Sequence, residues 1–292
     1  MNDDSHKPKW LWRKIPASDH NSEVTGLTNQ LRLNTVCVEA HCPNQMECYG
    51  RGEATFILLG PSCTRRCAFC AVDKSAPAPP DPLEPQRTAV AIAELGLKFA
   101  VLTMVTRDDL YDGGADHISK TVLHIRDKCP DVGIEVLISD LGGDPDALQK
   151  VIFSSPDVLN HNVETVPRLY STVRPQADYR RSIDLIRRIK LQSSRIVAKS
   201  GLMLGLGENR GEVLSVMDEL REAGCQLITL GQYLAPSKKH HPVVRYVHPD
   251  EFEEYASQAY QRGFSAVASA PFVRSSYRAG KLHEKARLSE GS

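Results

Sequence analysis

Residues 60–70 read Gly60-Pro61-Ser62-Cys63-Thr64-Arg65-Arg66-Cys67-Ala68-Phe69-Cys70. The apolar run Thr55–Leu59 precedes them, so we expect a strand that delivers three thiols, spaced C-x3-C-x2-C, into one tight loop. Structural zinc sites and electron-carrying iron–sulfur cubanes use four protein ligands. A site with three cysteines leaves one metal position open, which indicates that chemistry takes place there. The alternatives are disulfide pairing, disfavoured by the odd number of thiols, and a zinc site completed elsewhere in the chain.

From about residue 55 the chain alternates between short apolar runs and amphipathic stretches. The apolar runs, rich in β-branched residues, are Thr55–Leu59, Phe99–Met104, Gly133–Ile138, Val158–Val163, Ile196–Leu204 and Leu227–Leu230. The helix-like segments lie near residues 86–96, 115–127, 144–152, 178–192, 210–223 and 249–262. Six strand–helix repeats predict parallel strands joined by right-handed crossovers, and hence an α/β sheet or barrel.

Polar residues cluster where several of the predicted strands end. The cysteine loop follows the first strand directly, at the end where βα folds place their active sites. After the second strand come Thr106-Arg107-Asp108-Asp109 and Asp112-Gly113-Gly114. The fourth strand carries Asn160-His161-Asn162-Val163-Glu164, and the fifth runs into Lys199-Ser200-Gly201 and then Gly205-Leu206-Gly207-Glu208. This concentration predicts that the functional site lies at the C-terminal rim of the sheet.

A second cysteine cluster precedes the first predicted strand: Cys37-Val38-Glu39-Ala40-His41-Cys42-Pro43-Asn44-Gln45-Met46-Glu47-Cys48, with the spacing C-x4-C-x5-C. Zinc with His41 as the fourth ligand is one interpretation, but His41 is adjacent to Cys42, and neighbouring residues rarely reach one small ion together. A second iron–sulfur cluster, with its last ligand from a distant part of the chain, fits better. The other cysteines, Cys129 and Cys225, are interpreted as small buried hydrophobes.

The C-terminal region offers a distant ligand of this kind. An apolar segment, Phe264–Ala270, is followed by Pro271-Phe272-Val273-Arg274-Ser275-Ser276-Tyr277-Arg278-Ala279. One interpretation is a polar tail. The other is that a serine completes the N-terminal cluster. A serine oxygen matches the iron of a sulfur cluster less well than a thiolate does, which suits a ligand that must leave.

Composition narrows the functional classes. The 292 residues include 36 basic and 36 acidic side chains, so the formal net charge is zero and nothing suggests a nucleic-acid footprint. Apolar runs such as Phe56-Ile57-Leu58-Leu59 are too short to cross a bilayer, and the N-terminal residues show no apolar signal segment. We therefore expect a cytoplasmic protein in which none of the eight cysteines forms a disulfide and the six of the two triads are metal ligands.

The motif Cys63–Cys70, with Phe69 before the last cysteine, resembles the signature of the radical S-adenosylmethionine (SAM) enzymes. With its other motifs the chain resembles the lipoyl synthase family over nearly its whole length. The matching pieces are the Cys37/Cys42/Cys48 spacing, Cys63-Thr64-Arg65-Arg66-Cys67-Ala68-Phe69-Cys70-Ala71-Val72, Arg107-Asp108-Asp109-Leu110 with Asp112-Gly113-Gly114-Ala115, Asn160-His161-Asn162-Val163-Glu164-Thr165-Val166 and Arg274-Ser275-Ser276-Tyr277. Two segments depart from the family: Met104-Val105-Thr106 replaces serine-valine-aspartate, and Ala270 replaces glycine. Neither is a cluster ligand, so they concern details of substrate or partner.

The resemblance implies a fold and a division of the chain. The family has an incomplete (β/α)6 TIM-type barrel of the radical SAM kind, which agrees with the six repeats and carries N- and C-terminal extensions. Residues 1–54 are then the N-terminal extension with the auxiliary cluster ligands. Residues 55–263 are the radical SAM partial barrel, and residues 264–292 are the C-terminal extension with the serine ligand.

The resemblance also implies a reaction and its cofactors. Sulfur is added at the sixth and eighth carbons of an octanoyl chain on a carrier lysine, while two SAM molecules are cleaved to 5′-deoxyadenosine and methionine. Two 4Fe-4S clusters are implied. The ligands of the cluster that binds SAM are Cys63, Cys67 and Cys70. The ligands of the auxiliary cluster, which is consumed as the sulfur source, are Cys37, Cys42, Cys48 and Ser276.

Four further residues are implied as SAM contacts, with a structural polar role as the alternative. They are Phe69 at the adenine, Asn162 and Glu164 at the ribose, and Arg174 at the carboxylate. The implied substrates are octanoylated lipoyl domains of 2-oxoacid dehydrogenase E2 subunits and the glycine-cleavage H protein. An electron donor such as ferredoxin or flavodoxin and an iron–sulfur carrier for cluster rebuilding are also implied. Neither nucleic acid nor a membrane is expected as a partner.

Two rival functions stay open from the sequence. A sulfur-inserting radical SAM enzyme of the biotin synthase kind shares the pattern of the fourth strand. It lacks the N-terminal cysteine triad and Arg274-Ser275-Ser276-Tyr277. A non-catalytic iron–sulfur scaffold or zinc-binding module is the rival from another class.

Overall fold

One eight-stranded sheet organises the parts of the chain that the computed structural model describes, residues 7–12, 20–39, 42, 44–49 and 54–290. The strands are β1 Asn34–Thr35, β2 Thr55–Leu58, β3 Phe99–Met104, β4 Gly133–Leu137, β5 Val158–Asn160, β6 Val197–Leu204, β7 Leu227–Gln232 and β8 Ala266–Ser269. The helices are α1 His20–Gln30, α2 Val36–Glu39, α3 Gln45–Tyr49, α4 Glu84–Glu94, α5 Ala115–Lys128, α6 Pro145–Phe153, α7 Tyr170–Val173, α8 Tyr179–Gln192, α9 Arg210–Glu222, α10 Pro249–Gln261 and α11 Ala279–Glu290.

The strands lie side by side in the order of the chain. β1 runs antiparallel to β2, with Asn34 opposite Ile57, and each later neighbour pair from β2 to β8 is parallel. The edge strands β1 and β8 do not pair with each other in the described sheet. The predicted α/β class with an incomplete barrel is therefore confirmed.

The strand count differs from the predicted one. All six predicted strands form, but a seventh parallel strand, β8, lies within Phe264–Ala270, which was interpreted only as an apolar segment. Its sequence, Ala-Val-Ala-Ser, has a single β-branched residue and no alternation of apolar and polar residues, so it lacks the pattern that predicts a strand. β5 ends at Asn160, before the predicted Val163, and Glu164 then rejoins the sheet through one bridge to Leu202.

The helix α9 shows how local sequence sets the crossovers. Asn209 and Glu212 form a capping box at its start, which satisfies backbone N–H groups that lack a helical partner. Gly224 follows its end with a φ of 89°, a left-handed conformation that glycine adopts at little cost. Val213, Val216, Met217 and Leu220 are buried on one face against the sheet.

The helix α11 closes the N-terminal end of the barrel. Its residues Leu282 and Ala286 pack against the first residues of four strands, Val158, Val197, Leu227 and Ala266. Burying a leucine side chain contributes about 1.5–3 kcal/mol, so this packing fixes α11 as the floor of the barrel. β8 ends at the opposite rim. Residues 270–278, which we call the strap, therefore run along the barrel from its C-terminal rim to its floor.

Among the described residues, we find no helix with the length and apolar character that a membrane span requires.

Candidate active site

The loop that carries the first cysteine triad begins with a constrained turn. Leu59 has a φ of 71° and Gly60 a φ of 86°. The Leu59 N–H donates to Glu84 Oε2 at 2.7 Å, and the same oxygen lies 2.7 Å from His117 Nε2. A non-glycine residue with positive φ costs about 1 kcal/mol or more, so the buried Glu84 holds the turn against this strain. Glu84 lies near the end of a proline-rich stretch, residues 76–85.

Arg65, between the first two cysteines of the loop, fastens the loop to two later strands. Its Nε and Nη2 bind both carboxylate oxygens of Asp108 at 2.8 Å. Nη2 also lies 2.6 Å from Asp140 Oδ1. Asp108 follows β3 and Asp140 follows β4, so one buried guanidinium ties together three consecutive rim loops. A planar, forked guanidinium is suited to this bidentate geometry.

Backbone hydrogen bonds complete the attachment of the loop. The Cys63 N–H donates to the Asp73 carbonyl at 2.9 Å, and the Ala68 N–H donates to the Val173 carbonyl at 2.9 Å. The Ala68 carbonyl accepts from the His241 N–H at 2.8 Å. The conformation of the loop is therefore set by contacts from the whole rim.

The thiols of this triad are free cysteines of intermediate exposure. Burial raises the pKa of Cys67, while the positive charge of Arg174 opposes the rise. Burial also raises the pKa of Cys70, and Lys74 opposes it. Metals bind the thiolate form, so loading this loop with a metal cluster would release protons. Across the described ranges, no three His, Cys, Asp or Glu side chains converge closely enough to hold a metal ion as they stand.

Asn162 and Glu164, beyond the end of β5, face the interior. Asn162 Nδ2 donates to Glu164 Oε1 at 3.1 Å, and Glu164 holds a φ of 65°. Asn162 Oδ1 is buried and has no hydrogen-bond partner among the residues that the structure describes. Burial raises the pKa of Glu164, although Arg174 and Asn162 oppose the shift. A strained acidic residue beside an unsatisfied amide oxygen fits a hydroxyl-bearing ligand such as a ribose.

Arg174 lies behind this pair. Its Nη1 donates to the carbonyls of Asn162 at 3.1 Å and Val163 at 3.0 Å, and its Nε is buried without a partner in the described structure. One edge of the guanidinium thus supports the backbone of the predicted ribose pair, and Nε remains to receive a ligand oxygen. Phe69 packs at the edge of the main core.

The second triad lies at the opposite end of the barrel. Cys37 is in α2 and Cys48 in α3, with Cys42 between these helices. Because β1 runs antiparallel to β2, the chain after β1 arrives beside Thr55, the first residue of β2. Burial, with the nearby Cys42, raises the pKa of Cys37 to about 11. His41, the alternative zinc ligand, lies outside the described residues.

The strap is attached to α3, the helix that contains Cys48, and to Asn44 directly before it. Asn44 Nδ2 donates to the Phe272 carbonyl at 2.7 Å. The Tyr277 hydroxyl donates to Glu47 Oε1 at 2.8 Å. Asn44 and Glu47 lie between Cys42 and Cys48 in sequence, so these bonds bring the Arg274-Ser275-Ser276-Tyr277 motif to the second triad.

A cavity of about 890 Å³ connects the two ends of the barrel. Its lining at the rim includes Phe69, Cys70 and Tyr233, and its lining at the other end includes Leu97 and Lys281. Eight of the predicted site residues line it: Cys37, Cys42, Cys48, Phe69, Cys70, Asn162, Glu164 and Ser276. Its volume is within the range of ligand sites, about 300–1,000 Å³.

The cavity corrects one expectation and leaves three predicted residues outside its lining. The site is not confined to the rim, because β1 carries the second triad to the floor end. Cys63, Cys67 and Arg174 do not line the cavity. Cys63 and Cys67 share the rim loop with Cys70, and Arg174 lies behind Asn162.

Several polar residues of the predicted rim have structural roles. Asp109 pairs with Arg107 at 2.8 Å, and Glu208 accepts the backbone N–H groups of Gly205 and Leu206. Asp112 likewise accepts from backbone groups at the start of α5. These side chains shape the loops that surround the cavity.

Three residues outside the triads also have structural roles. His161 is buried between the Ile138 carbonyl and the Ser182 hydroxyl, and burial lowers its pKa to about 4. Cys225 is fully buried, as predicted, and burial raises its pKa to about 12. Cys129 is half-buried against the core.

The sequence analysis missed three residues of the site. They are Arg65, Glu84 and Glu135, of which Glu135 lines the cavity from the middle of β4. A charged residue inside an otherwise apolar strand was a usable signal for Glu135. Arg65 and Glu84 carry no such signal, since their partners are distant in sequence.

The sequence is similar to known proteins over almost its full length. A family model described as the radical SAM superfamily matches residues 57–220. A lipoyl synthase from Alkaliphilus metalliredigens is 50% identical over 279 residues, which cover 96% of this chain and 96% of the relative. A lipoyl synthase from Citrifermentans bemidjiense is 52% identical over 277 residues, which cover 95% of this chain and 94% of the relative.

Solved structures with much lower identity share the fold. HydG, a maturase of the FeFe-hydrogenase, has a TM-score of 0.59 at 16% identity, covering 86% of this chain and 63% of its own. Streptococcus suis SuiB bound to S-adenosylmethionine has a TM-score of 0.59 at 13% identity, covering 74% of this chain and 49% of its own. At these identities the likeness concerns the fold alone.

Proposed function

We propose that this chain, which belongs to the lipoyl synthase family of the radical SAM superfamily, inserts two sulfur atoms into an octanoyl chain held in amide linkage on a carrier lysine. The sulfur atoms enter at the sixth and eighth carbons. Two SAM molecules are cleaved to 5′-deoxyadenosine and methionine, and an auxiliary 4Fe-4S cluster is consumed as the sulfur donor. The family membership makes the chain a sulfur-inserting radical SAM enzyme that uses a 4Fe-4S cluster and SAM.

The reaction needs a radical because an unactivated methylene has no acidic proton for a catalytic base to remove. When bound, the first cluster and SAM supply a 5′-deoxyadenosyl radical, and the auxiliary cluster supplies sulfur. Cys63, Cys67 and Cys70 hold the first cluster, on the loop that Arg65 and Glu84 fix in place.

The residues beyond β5 hold SAM. The unsatisfied Oδ1 of Asn162 and the carboxylate of Glu164 accept ribose hydroxyls. Arg174 supports their backbone and offers its free Nε to the carboxylate of SAM. Phe69, at the rim end of the cavity, lies against the adenine.

The second triad holds the auxiliary cluster, with Ser276 as its oxygen ligand. The hydrogen bonds of Asn44 and Glu47 to the strap support this arrangement because they join the triad segment to the segment of Ser276. A serine ligand leaves more readily than a thiolate, which suits a cluster that must give up its sulfur.

The observation that carries the proposal is the shared cavity. Cys70 lines it near one end, and Cys37, Cys42 and Cys48 line it together with apolar residues from the floor end, such as Leu97 and Phe99. A long alkyl chain fits a cavity with such walls. It then lies between a source of radicals and a source of sulfur. α11 at the floor and the strap exclude water that would quench a radical.

The partners follow from the reaction. The octanoylated carriers are lipoyl domains of 2-oxoacid dehydrogenase E2 subunits and the glycine-cleavage H protein. A one-electron donor such as ferredoxin or flavodoxin reduces the first cluster, and an iron–sulfur carrier rebuilds the auxiliary one. The absence of a basic excess argues against nucleic acid as a partner, and we place the reaction in the cytoplasm.

The test is to incubate the anaerobically reconstituted protein with an octanoylated carrier peptide, SAM and reductant. Mass spectrometry should detect a product with two added sulfur atoms, and iron and sulfide analysis should give two cubane clusters per chain. A protein with one cluster or stoichiometric zinc, or one that acts only on a free small molecule, would exclude the proposal.

A further inference from the structure

A buried ion pair spans the inside of the sheet and has no part in the reaction described above. Lys199 of β6 and Glu135 of β4 are almost fully buried, and Lys199 Nζ lies 2.7 Å from Glu135 Oε1. Moving two charges out of water is costly, and a buried pair contributes little net stability compared with apolar residues of the same size. Stability alone therefore does not explain why this pair is present in the barrel wall.

Each hydrogen-bond donor of the Lys199 ammonium has an acceptor. Two go to Glu135, at 2.7 and 2.8 Å, and the third goes to the Ser275 carbonyl at 2.7 Å. Asn160 Nδ2 donates to Glu135 Oε1 at 3.0 Å, which supports the carboxylate from β5. The charges cancel within the sheet, and the one bond that leaves the sheet reaches the strap.

Ser275 is held on two sides. Its carbonyl accepts from Lys199, and its hydroxyl accepts from Asn162 Nδ2 at 2.6 Å. Two residues before Ser275, the strap lies directly on β7. There the Val273 carbonyl occupies the space that a side chain at position 231 would need. Gly231 thus allows the strap to approach the sheet closely enough for Lys199 to reach it.

We propose that Lys199, with Glu135 as its counter-ion, is a positioning residue that fixes Ser275 and so directs the adjacent Ser276 toward the second cysteine triad. The inference rests on the proposed function in one respect, the role of Ser276 as a ligand. The anchor itself is a property of the chain without its clusters. The ammonium provides a charge-assisted bond at the point where the strap passes the inside of the sheet.

The test removes the anchor without leaving a buried charge. Lys199→Met alone would leave the Glu135 carboxylate buried without its counter-ion, so the informative variant combines Lys199→Met with Glu135→Gln. Lys190→Met is the matched control, because Lys190 also donates to a backbone carbonyl, that of Ile196, but on α8 away from the strap. Circular dichroism and thermal melting identify variants that fail to fold.

The first measurement uses protein without clusters. Hydrogen–deuterium exchange of peptides that cover residues 270–279 should be about tenfold faster or more in the double variant, since a hydrogen bond to a charged group is lost. Exchange in the β4 and β6 peptides should stay close to that of the unaltered protein. The Lys190→Met protein should exchange like the unaltered protein throughout.

The second measurement uses reconstituted protein. The Mössbauer and paramagnetic resonance signals of the auxiliary cluster in the double variant should match those of Ser276→Ala. It should also lose auxiliary iron to a chelator about tenfold faster than the unaltered protein. Cleavage of SAM at the first cluster should continue.

Two outcomes would overturn the inference: unchanged exchange in the strap of a folded double variant, or auxiliary signals and iron loss that match the unaltered protein. Failure of the proposed function looks different. The proposed function fails if the unaltered protein holds only one cluster, or if the auxiliary-cluster signals of Ser276→Ala equal those of the unaltered protein. In either case the exchange measurement on cluster-free protein still decides whether Lys199 anchors the strap.

Discussion

Arg65 Nη2 lies 2.6 Å from Asp140 Oδ1, and both side chains are almost completely buried. This pair joins the loop of the first cysteine triad to the end of β4. Burial alone would raise the pKa of Asp140, but the hydrogen bond and charge of Arg65 outweigh it and hold that pKa below its usual value. The carboxylate therefore stabilises the fold at neutral pH, and this contribution is lost as the pH falls through the lowered pKa.

Asp140→Asn should lower the free energy of unfolding of the cluster-free protein by about 3 kcal/mol, since it leaves a buried guanidinium short of one partner. Urea denaturation at pH 7 measures this. The control is Asp184→Asn, which removes an exposed partner of Arg188 and should cost less than about 1 kcal/mol. Equal losses in the two variants would contradict the role of the pair.

Glu164→Gln should separate stability from function. Burial raises the pKa of Glu164 in the folded protein, so this carboxyl ionises at a lower pH in the unfolded chain than in the folded one. The free energy of unfolding therefore falls as the pH rises. Glutamine cannot ionise, and the cluster-free variant should melt at a higher temperature than the unaltered protein at pH 8. Its affinity for SAM should fall about tenfold, because a charged acceptor is lost. Calorimetric titration of the reconstituted protein with SAM measures the second effect, and unchanged SAM affinity would contradict the ribose assignment.

Ser276→Ala should weaken the auxiliary cluster while leaving SAM cleavage measurable. Iron content after gel filtration, 5′-deoxyadenosine release and lipoyl formation are compared with those of Ser119→Ala, in which a serine on the outer helix α5 is lost. We expect lipoyl formation to fall at least about tenfold, in proportion to one lost metal ligand. Normal lipoyl formation by Ser276→Ala would reject the serine as a ligand.

Cys67→Ala should abolish 5′-deoxyadenosine production, because two thiolates cannot hold the first cluster with an open iron. Cys37→Ala should retain SAM cleavage and form no lipoyl product. Chromatography of the SAM products distinguishes these variants, and Cys129→Ala is the control with all six triad cysteines intact. SAM cleavage that survives in Cys67→Ala would show that the radical centre lies elsewhere.

His161 should make the fold sensitive to moderate acid. Its pKa falls from the ordinary 6.5 to about 4 because it is buried as the neutral ring. The unfolded chain therefore takes up a proton first as the pH drops, and up to about 3 kcal/mol of stability is lost between pH 6.5 and pH 4. Denaturation of cluster-free protein at several pH values should show a slope that is smaller in His161→Gln.

Much of the fold could be predicted from the chain because local pattern and topology agree. The apolar runs Phe99–Met104 and Ile196–Leu204 form strands nearly as expected, and Gly224 ends α9 where the sequence indicates. β8 was missed because Ala266-Val267-Ala268-Ser269 shows no alternation of apolar and polar residues. β1 was missed because it has two residues and depends wholly on its pairing with β2.

The contents of the site could be predicted better than its shape. Cysteine spacing predicts metal ligands, since ligand type and interval are local properties of a sequence. The residues that hold the site in place have partners that are distant in sequence. Arg65 meets Asp140 at a separation of 75 residues, and Lys199 meets Ser275 at a separation of 76. The position of the second triad at the floor end depends on the direction of one two-residue strand, for which the sequence carries no signal.

The placement of α11 has a consequence for biosynthesis. This helix follows each of the eight described strands in the chain, and it closes the chamber from below. On the ribosome the strands and both sets of thiols emerge before the helix that seals them. The floor end of the cavity therefore stays open to solvent until α11 has packed on these strand ends.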